Sequence, residues 1–351
     1  MLPTIATIGS MARQSTDVGS ERILMGHGAG GRRMHRLITE MFIRRFGNPV
    51  LSRLDDAAVL PTLRGRQAVS TDTFVVDPLF FPGGDIGKLA VCGTVNDVAM
   101  MGGDPRHLTL GFVMREGLEL EALDRICRSI AATAKRAGVQ VVTGDTKVIE
   151  HGDDHGLYIN TTGFGPVPSR LVLGTEAVRS GDAVIINGPI GEHEAAVAVA
   201  RGAFRFRGPV RSDCAPLNKL VKGALAVGGV RMMRDPTRGG LATTLNEVTD
   251  ATGLGIVIEE SAVPVSKHVR GVAGLLGLDP FYMANEGKVI VFASTAKADK
   301  VVAAMRRRAT GRTSRRIGEV VREPEGVWLR TRIGSLRPLI MLEGEQLPRI
   351  C

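Results

Sequence analysis

The sequence predicts a mixed α/β protein, of the α+β kind, in two domains. Three observations carry this. The chain has 351 residues, more than a single hydrophobic core usually serves. Segments with strand and helix periodicity alternate along most of it. Near the middle, Pro166-Val167-Pro168-Ser169 interrupts the alternation as a linker. The expected organisation is a loose extension over 1–20, an N-terminal domain over 21–166, a C-terminal domain over 167–334 and a mobile tail over 335–351.

Residues 32–46 place Met34, Leu37, Ile38, Met41 and Phe42 on one helix face, and Asn48-Pro49 stops the helix. A strand follows in 67–76, then a turn at Gly83-Gly84 and a helix over 86–101. A strand at 108–115 leads to a helix at 119–137, where Leu123, Ile126, Ile130 and Ala134 keep step and Gly138 is the C′ residue. Strands are expected at 139–142, running into Thr143-Gly144-Asp145-Thr146-Lys147, and at 157–163. In the second domain strands fall at 183–186, 255–259, 288–293, 315–321 and 326–331. Helices fall at 192–201, 216–227, 240–251 and 297–309, and Arg234 to Gly240 is a loop leading into a helix.

Composition narrows the function. With one Trp, two Tyr and 11 Phe, few rings exist to stack on bases, which counts against a single-strand nucleic-acid binder. The net charge of +9 is spread along the chain, with one dense run at Arg306-Arg307-Arg308 that reads as a solvated helix face. No stretch approaches the ~20 apolar residues of a membrane span. Cys92, Cys127, Cys214 and Cys351 have neither zinc spacing nor a disulfide pattern, so a reducing, cytoplasmic setting is expected.

Gly26-His27-Gly28-Ala29-Gly30-Gly31 precedes the first helix. The spacing fits a dinucleotide loop, but only Ile23-Leu24-Met25 could be its strand. A loop that folds over phosphates with backbone N–H groups is the better reading. Asp55, Asp56, Asp72, Asp97, Asp145 and Asp235 each stand at or near the end of an apolar element among small residues. Singly each suits a cap or Asx turn. Together they suit Mg²⁺, which takes carboxylates plus substrate phosphates. Asn96-Asp97 falls inside an apolar helix, where polar side chains need partners. Lys147 and Glu286 follow strand-end or Gly contexts that face a cleft, and suit charge stabilisation and proton removal or simple salt bridges. His151 to His155 reads as a solvated loop in preference to a metal site. The last residue, Cys351, follows Gly344 and Pro348. It is either an incidental thiol on a frayed end or a nucleophile on a movable arm, whose ~10 residues reach on the order of 30 Å.

Leu-Asp-Asp-Ala-Ala-Val (54–59), Ser-Thr-Asp (70–72), Val-Asn-Asp-Val-Ala-Met-Met-Gly-Gly-Asp-Pro (95–105), Thr-Gly-Asp-Thr-Lys (143–147) and Arg-Asp-Pro-Thr-Arg-Gly-Gly-Leu (234–241) resemble the aminoimidazole-ribotide synthetase, or PurM-like, superfamily of ATP-using enzymes. Within it the Gly-rich loop and the terminal Pro-Arg-Ile-Cys (348–351) resemble the HypE family, carbamoyl dehydratases of nickel–iron hydrogenase maturation. Ala29 stands where that family usually has Gly. The selenophosphate branch uses a thiol or selenol near the Gly loop, and no Cys precedes Cys92 here.

The resemblance implies a two-domain PurM-like fold, with the N-terminal domain forming a β-barrel shared in a homodimer, a C-terminal α/β domain and a flexible tail. It implies ATP and Mg²⁺ as cofactors, a HypF-like carbamoyltransferase and a HypC–HypD scaffold complex as partners, and no role for nucleic acid or membrane. Gly28, Gly30, Gly31, Asp72, Asn96 and Asp145 would bind nucleotide; Asp55, Asp56, Asp97 and Asp235 would bind metal. Cys351 would carry the carbamoyl group, and Lys147 and Glu286 would move its protons. The alternative is another small-molecule synthetase or kinase of the superfamily, which would not need Cys351.

Overall fold

The computed structural model describes residues 21–61, 65–150, 152, 156–202 and 206–342. The expected extension, the His151 to His155 loop apart from Gly152, and Cys351 lie outside the described residues. The first half runs α1 (Arg32–Leu37), a π-helical turn (Ile38–Ile43), α2 (Arg44–Phe46), β1 (Arg66–Phe74), a hairpin of β2 (Phe80–Phe81) and β3 (Gly84–Asp85), α3 (Ile86–Met100), β4 (His107–Arg115), α4 (Leu120–Ala137), β5 (Gln140–Ile149) and β6 (Leu157–Val167). Its sheet has the order β1-β6-β4-β5, antiparallel except between β4 and β5.

One face of this sheet is the core. Leu108, Leu110, Phe112 and Met114 of β4 are buried, as are Leu157, Ile159 and Thr161 of β6. They meet α3 and the apolar stripe of α4, whose Leu123, Ile126, Cys127 and Ile130 are fully buried. Each large aliphatic side chain so placed contributes about 1.5–3 kcal/mol. The other face carries Val69, Thr71, Thr73, Asp145 and Asn160, all exposed. Both edge strands, β1 and β5, have one open side.

The second half runs β7 (Ala183–Ile186), α5 (Glu192–Ala200), α6 (Asn218–Leu225), β8 (Val230–Arg234), α7 (Gly240–Thr252), β9 (Gly255–Glu259), α8 (Lys267–Leu276), β10 (Ile290–Ala293), α9 (Thr295–Arg306), β11 (Arg315–Val321), β12 (Gly326–Arg330) and β13 (Leu336–Pro338). The sheet order is β13-β12-β9-β11-β7-β10-β8. Three expectations are corrected. β6 continues to Val167, through half of the expected linker, because its register with β1 extends to Arg66. The loop expected from Arg234 begins one residue later, since β8 ends there and pairs with β10. Residues 336–339, expected within a tail from 335, are packed, since β13 pairs with β12 and Leu339 is fully buried.

α3 joins the halves. Asp85 caps it by accepting from the Gly87 and Lys88 N–H groups. Thirteen of its side chains or glycines are buried, on every face, because the first sheet and α4 lie on one side and the second half on the other. Asn96, 2% exposed, donates to the Ala215 carbonyl at 3.2 Å and accepts from the Leu217 N–H at 2.7 Å. Its amide therefore stitches the two halves, at a position where nucleotide binding was expected from the sequence.

α5 buries a second polar group. Glu194 accepts the Ala284 N–H at 2.7 Å through Oε2, while Oε1 has no hydrogen-bond partner. Burial pushes its pKa up to about 6, against the Ala284 hydrogen bond.

Asn96→Ala is expected to cost about 2–4 kcal/mol, because it leaves the Ala215 carbonyl and Leu217 N–H buried without partners. A urea midpoint that stays at the wild-type value would refute this. Glu194 gives a pH dependence. The folded state binds the extra proton between about pH 4.5 and 6, so that contribution is present below pH 4.5 and lost as pH rises through 6. The Glu194→Gln variant lacks the loss, so its stability relative to wild type should rise by about 2 kcal/mol across that window in urea titrations.

Candidate active site

Carboxylates gather where β1, α3 and the loop after β8 meet. A cavity of about 300 Å³ is lined there by Asp72, Asp97, Arg234, Asp235, Thr237, Arg238 and Glu286, among others. Asp72 points inward from β1 because alternate residues of that strand face α3. Its Oδ2 accepts from Thr94 Oγ1 at 2.7 Å, and Thr94 lies 2.5 Å from Thr161 Oγ1. Asp97, one turn along α3, accepts from Ser70 Oγ at 2.7 Å. Asp235 follows β8, and Glu286 sits 4% exposed just before β10. Arg234 pairs with Glu247 at the cavity wall.

The electrostatics are those of acids held too close. Burial pushes Asp235 up to about 7, and the charge of Asp97 adds to the effect. Burial and the charge of Asp72 raise Asp97 in turn, against hydrogen bonds from Ser70 and Asp235. Like charges in a desolvated site retain protons unless a cation relieves them. Hard carboxylate oxygens in this state fit Mg²⁺. Among the described residues no group of three or more His, Cys, Asp or Glu side chains is placed to hold a metal ion by itself. A partial ligand set suits an ion that shares its coordination with substrate phosphates.

The remaining expected residues stand elsewhere. Asp145 and Lys147 are both on β5 and both 67% exposed, with 3.6 Å between Lys147 Nζ and Asp145 Oδ2. Gly28 lies against the same strand: a Cβ there would come within 2.8 Å of the Val148 nitrogen, so only glycine permits the approach. Gly30 turns the chain at φ 77°, and Gly31 opens α1 without a side-chain cap, leaving the first N–H groups free. Asp55 lines a separate cleft of about 440 Å³ with Asp145, His35 and the apolar face of the first helix. Asp56 is exposed.

The expected site is thus two half-sites. Asp72, Asp97, Asp235 and Glu286 collect at the β1 edge; Gly28, Asp55, Asp145 and Lys147 collect at the β5 edge. Two strands separate these edges, so within one chain they are roughly 14 Å apart at about 4.8 Å per strand. One chain therefore does not bring Asp55 and Asp56 to Asp97 and Asp235 as one metal set, nor Lys147 to Glu286 as a catalytic pair. Sequence reasoning missed Thr237 and Arg238, although both fall in the Arg234–Gly240 run it quoted. It also missed Ser70 and Thr94, whose hydroxyls hold the acids. Ser70 belonged to a recognised motif, but nothing in the periodicity distinguished Thr94.

Comparisons with known proteins agree with this architecture. Residues 54–167 match the AIR synthase related protein N-terminal domain and residues 179–329 the corresponding C-terminal domain. The carbamoyl dehydratase HypE of Cupriavidus necator is 49% identical over 338 residues, covering 95% of this chain and 96% of that one. HypE of Escherichia coli is 43% identical, with 94% and 99% covered. A crystal structure of HypE in complex with ATP superposes with a TM-score of 0.89 at 45% identity, covering 93% of this chain and 99% of the other. Two half-sites on two AIR synthase related domains, matched over 93–95% of the chain by these relatives, place the chain in the HypE family of carbamoyl dehydratases.

Proposed function

We propose that the chain is an ATP-dependent dehydratase acting on a carbamoyl group carried by the sulfur of its own Cys351, and that the product thiocyanate supplies the cyanide ligand of a nickel–iron hydrogenase. The observation that carries the reading is the desolvated acid cavity of Asp72, Asp97, Asp235 and Glu286, in a chain whose relatives are carbamoyl dehydratases and whose structural neighbour holds ATP.

An amide oxygen is a poor leaving group, and phosphorylation makes it a good one. The carboxamide oxygen attacks the γ-phosphorus of ATP, the bond to the bridging oxygen breaks and ADP departs. One N–H proton is lost as the C=N bond forms. Loss of the second proton then expels phosphate, which carries the former carboxamide oxygen, and leaves S–C≡N. Glu286, buried beside the acids, takes a proton from nitrogen. Lys147 neutralises charge as it develops on the transferring group. In-line placement supplies much of the rate, as in other phosphoryl transfers. Asp97 and Asp235, with Asp72 beside them, would hold Mg²⁺, which would neutralise phosphate charge.

Glu286 and Lys147 serve one reaction if a second copy of the chain completes the site. The open β1 and β5 edges and the exposed face of the first sheet suit pairing into the shared barrel of a homodimer, in which the β5 edge of one protomer approaches the β1 edge of its partner. A HypE structure solved in complex with HypF, with a TM-score of 0.76 at 42% identity, supports a HypF-like carbamoyltransferase as the partner that loads Cys351. A HypC–HypD scaffold would receive the cyanide. Cys92, Cys127 and Cys214 are buried thiols, in keeping with a reducing, cytoplasmic setting. Among the described residues no helix is long and apolar enough to cross a membrane.

After incubation with the transferase, carbamoyl phosphate and ATP, the intact mass of the chain should show a carbamoyl adduct that then loses one water. Cys351→Ala should take no adduct. Glu286→Gln should accumulate the adduct and dehydrate it about 10²–10⁴-fold more slowly; dehydration at the wild-type rate would remove Glu286 from the mechanism. Asp235→Asn should raise the Mg²⁺ concentration needed for half-maximal turnover by at least about tenfold, a loss seen even for residues that only support metal ligands. An unchanged Mg²⁺ titration would take Asp235 out of the metal site.

A further inference from the structure

We propose that the buried Asp213–Lys288 pair is the positioning element for Glu286, acting through the two consecutive backbone N–H groups that Asp213 holds. The inference rests on the dehydratase reading and extends it to residues outside the cavity.

Glu286 lies in a stretch without regular secondary structure between the 3₁₀ turn Pro280–Tyr282 and β10. Nothing in a helix or sheet ladder fixes its backbone there. Asp213 does so instead. Its Oδ1 accepts the Glu286 N–H at 3.2 Å, and its Oδ2 accepts the Gly287 N–H at 3.1 Å and Lys288 Nζ at 2.8 Å. The Glu286 carbonyl accepts the Ala215 N–H at 3.3 Å, so both backbone polar groups of Glu286 are tied to one short segment. The two backbones touch: a Cβ at Gly287 would lie 1.9 Å from the Asp213 carbonyl oxygen.

The pair is buried, with side-chain exposures of 6% for Lys288 and 2% for Asp213. Burial is the largest influence and alone would push the Asp213 carboxyl up, but the charge and hydrogen bond of Lys288, the charge of His193 and the Glu286 N–H together outweigh it and hold the group below its ordinary range. Charge-assisted bonds of this kind are short and directional. A buried ion pair adds little stability over apolar residues of the same shape, so its value here lies in the geometry it imposes. Asn285 supplies the second anchor. Its Oδ1 accepts the Gly191 N–H at 2.8 Å and its Nδ2 donates to the Pro236 carbonyl at 3.0 Å, which ties the Glu286 stretch to the loop carrying Asp235.

The test uses the full chain, carbamoylated by the transferase, with single-turnover water loss followed by intact mass. Four proteins are compared: wild type, Glu286→Gln, the neutral pair Asp213→Asn/Lys288→Met, and the combination. The neutral pair should dehydrate about 100-fold more slowly, as expected for a base displaced by about an ångström, while binding ATP with wild-type affinity. In the Glu286→Gln background it should cost almost nothing more, because changes that act through one group do not multiply. Amide hydrogen exchange at Glu286 and Gly287 should quicken. A folded neutral pair with the full rate, or losses that multiply with Glu286→Gln, would overturn the assignment while leaving the dehydratase reading intact. A wild-type chain that forms the adduct but sheds no water would overturn both. If the neutral pair does not fold, Asp213→Glu, which keeps the charge but displaces both oxygens, should show the same loss and the same lack of multiplication, and a wild-type rate there would refute the proposal.

Discussion

The structure depends on a helix with no solvent face. α3 is packed by the first sheet, by α4 and by the second half of the chain, so a polar side chain on it must find a protein partner or destabilise the fold. Asn96 finds the backbone of Ala215 and Leu217 and thereby docks the two halves. Asp97, its neighbour, turns about 100° around the helix to the cavity and finds Ser70 and another acid. One residue step thus separates a structural polar group from a chemical one. The docking that satisfies the first also brings Asp235 and Glu286 of the second half against the second.

That arrangement explains why Asp97 and Asp235 are raised above the ordinary carboxylate range. Burial of a carboxylate is costly, and two beside each other are costlier. The chain meets this with hydroxyl donors from β1 and α3, which lie at a fixed register with one another. Hydroxyls relieve part of the repulsion, and Asp235 remains raised to about 7. What the site retains is affinity for positive charge, the property that the proposed metal-bound triphosphate would require.

Much of this was legible in the sequence because it is periodic. The strand expected at 108–115 forms and buries Leu108, Leu110, Phe112 and Met114, and the stripe of Leu123, Ile126 and Ile130 is buried as read. Asp72, Asp97 and Asp235 were named from the sequence as acids among small residues, and the structure places all three on one cavity. What failed is instructive. Asn96 and Asp97 read alike, and only the loop arriving from residue 215 distinguishes them. The short strands β8 and β13, and the helix α8, were missed because three to ten residues carry little periodicity and are made by their neighbours. Asp213 and Lys288 form a pair 75 residues apart in the chain, a contact that no local pattern announces. Within one chain Asp55 and Asp97 lie apart for a topological reason, since the strand order β1-β6-β4-β5 sends them to opposite edges, and no local pattern carries that order.

The two half-sites differ in their exposure, and the difference gives assembly a chemical role. Lys147 and Asp145 are 67% exposed in the single chain, so water screens their charges and their pairing contributes little. The acids at the other edge are already desolvated. In the proposed dimer the β5 edge of one protomer closes over the β1 edge of its partner, and Lys147 leaves water. A cation at about 4 Å from a negative oxygen gains about 1 kcal/mol in water but several times that in the partly excluded setting of a protein surface. The same closure would place a positive charge near Asp235, which burial pushes up to about 7, and so lower its affinity for a proton. A chain that kept both halves together would carry a buried ammonium among carboxylates throughout folding. With the two halves on opposite sheet edges, the proposed dimer would defer the costly desolvation of Lys147 until two folded protomers meet, with barrel closure to offset it.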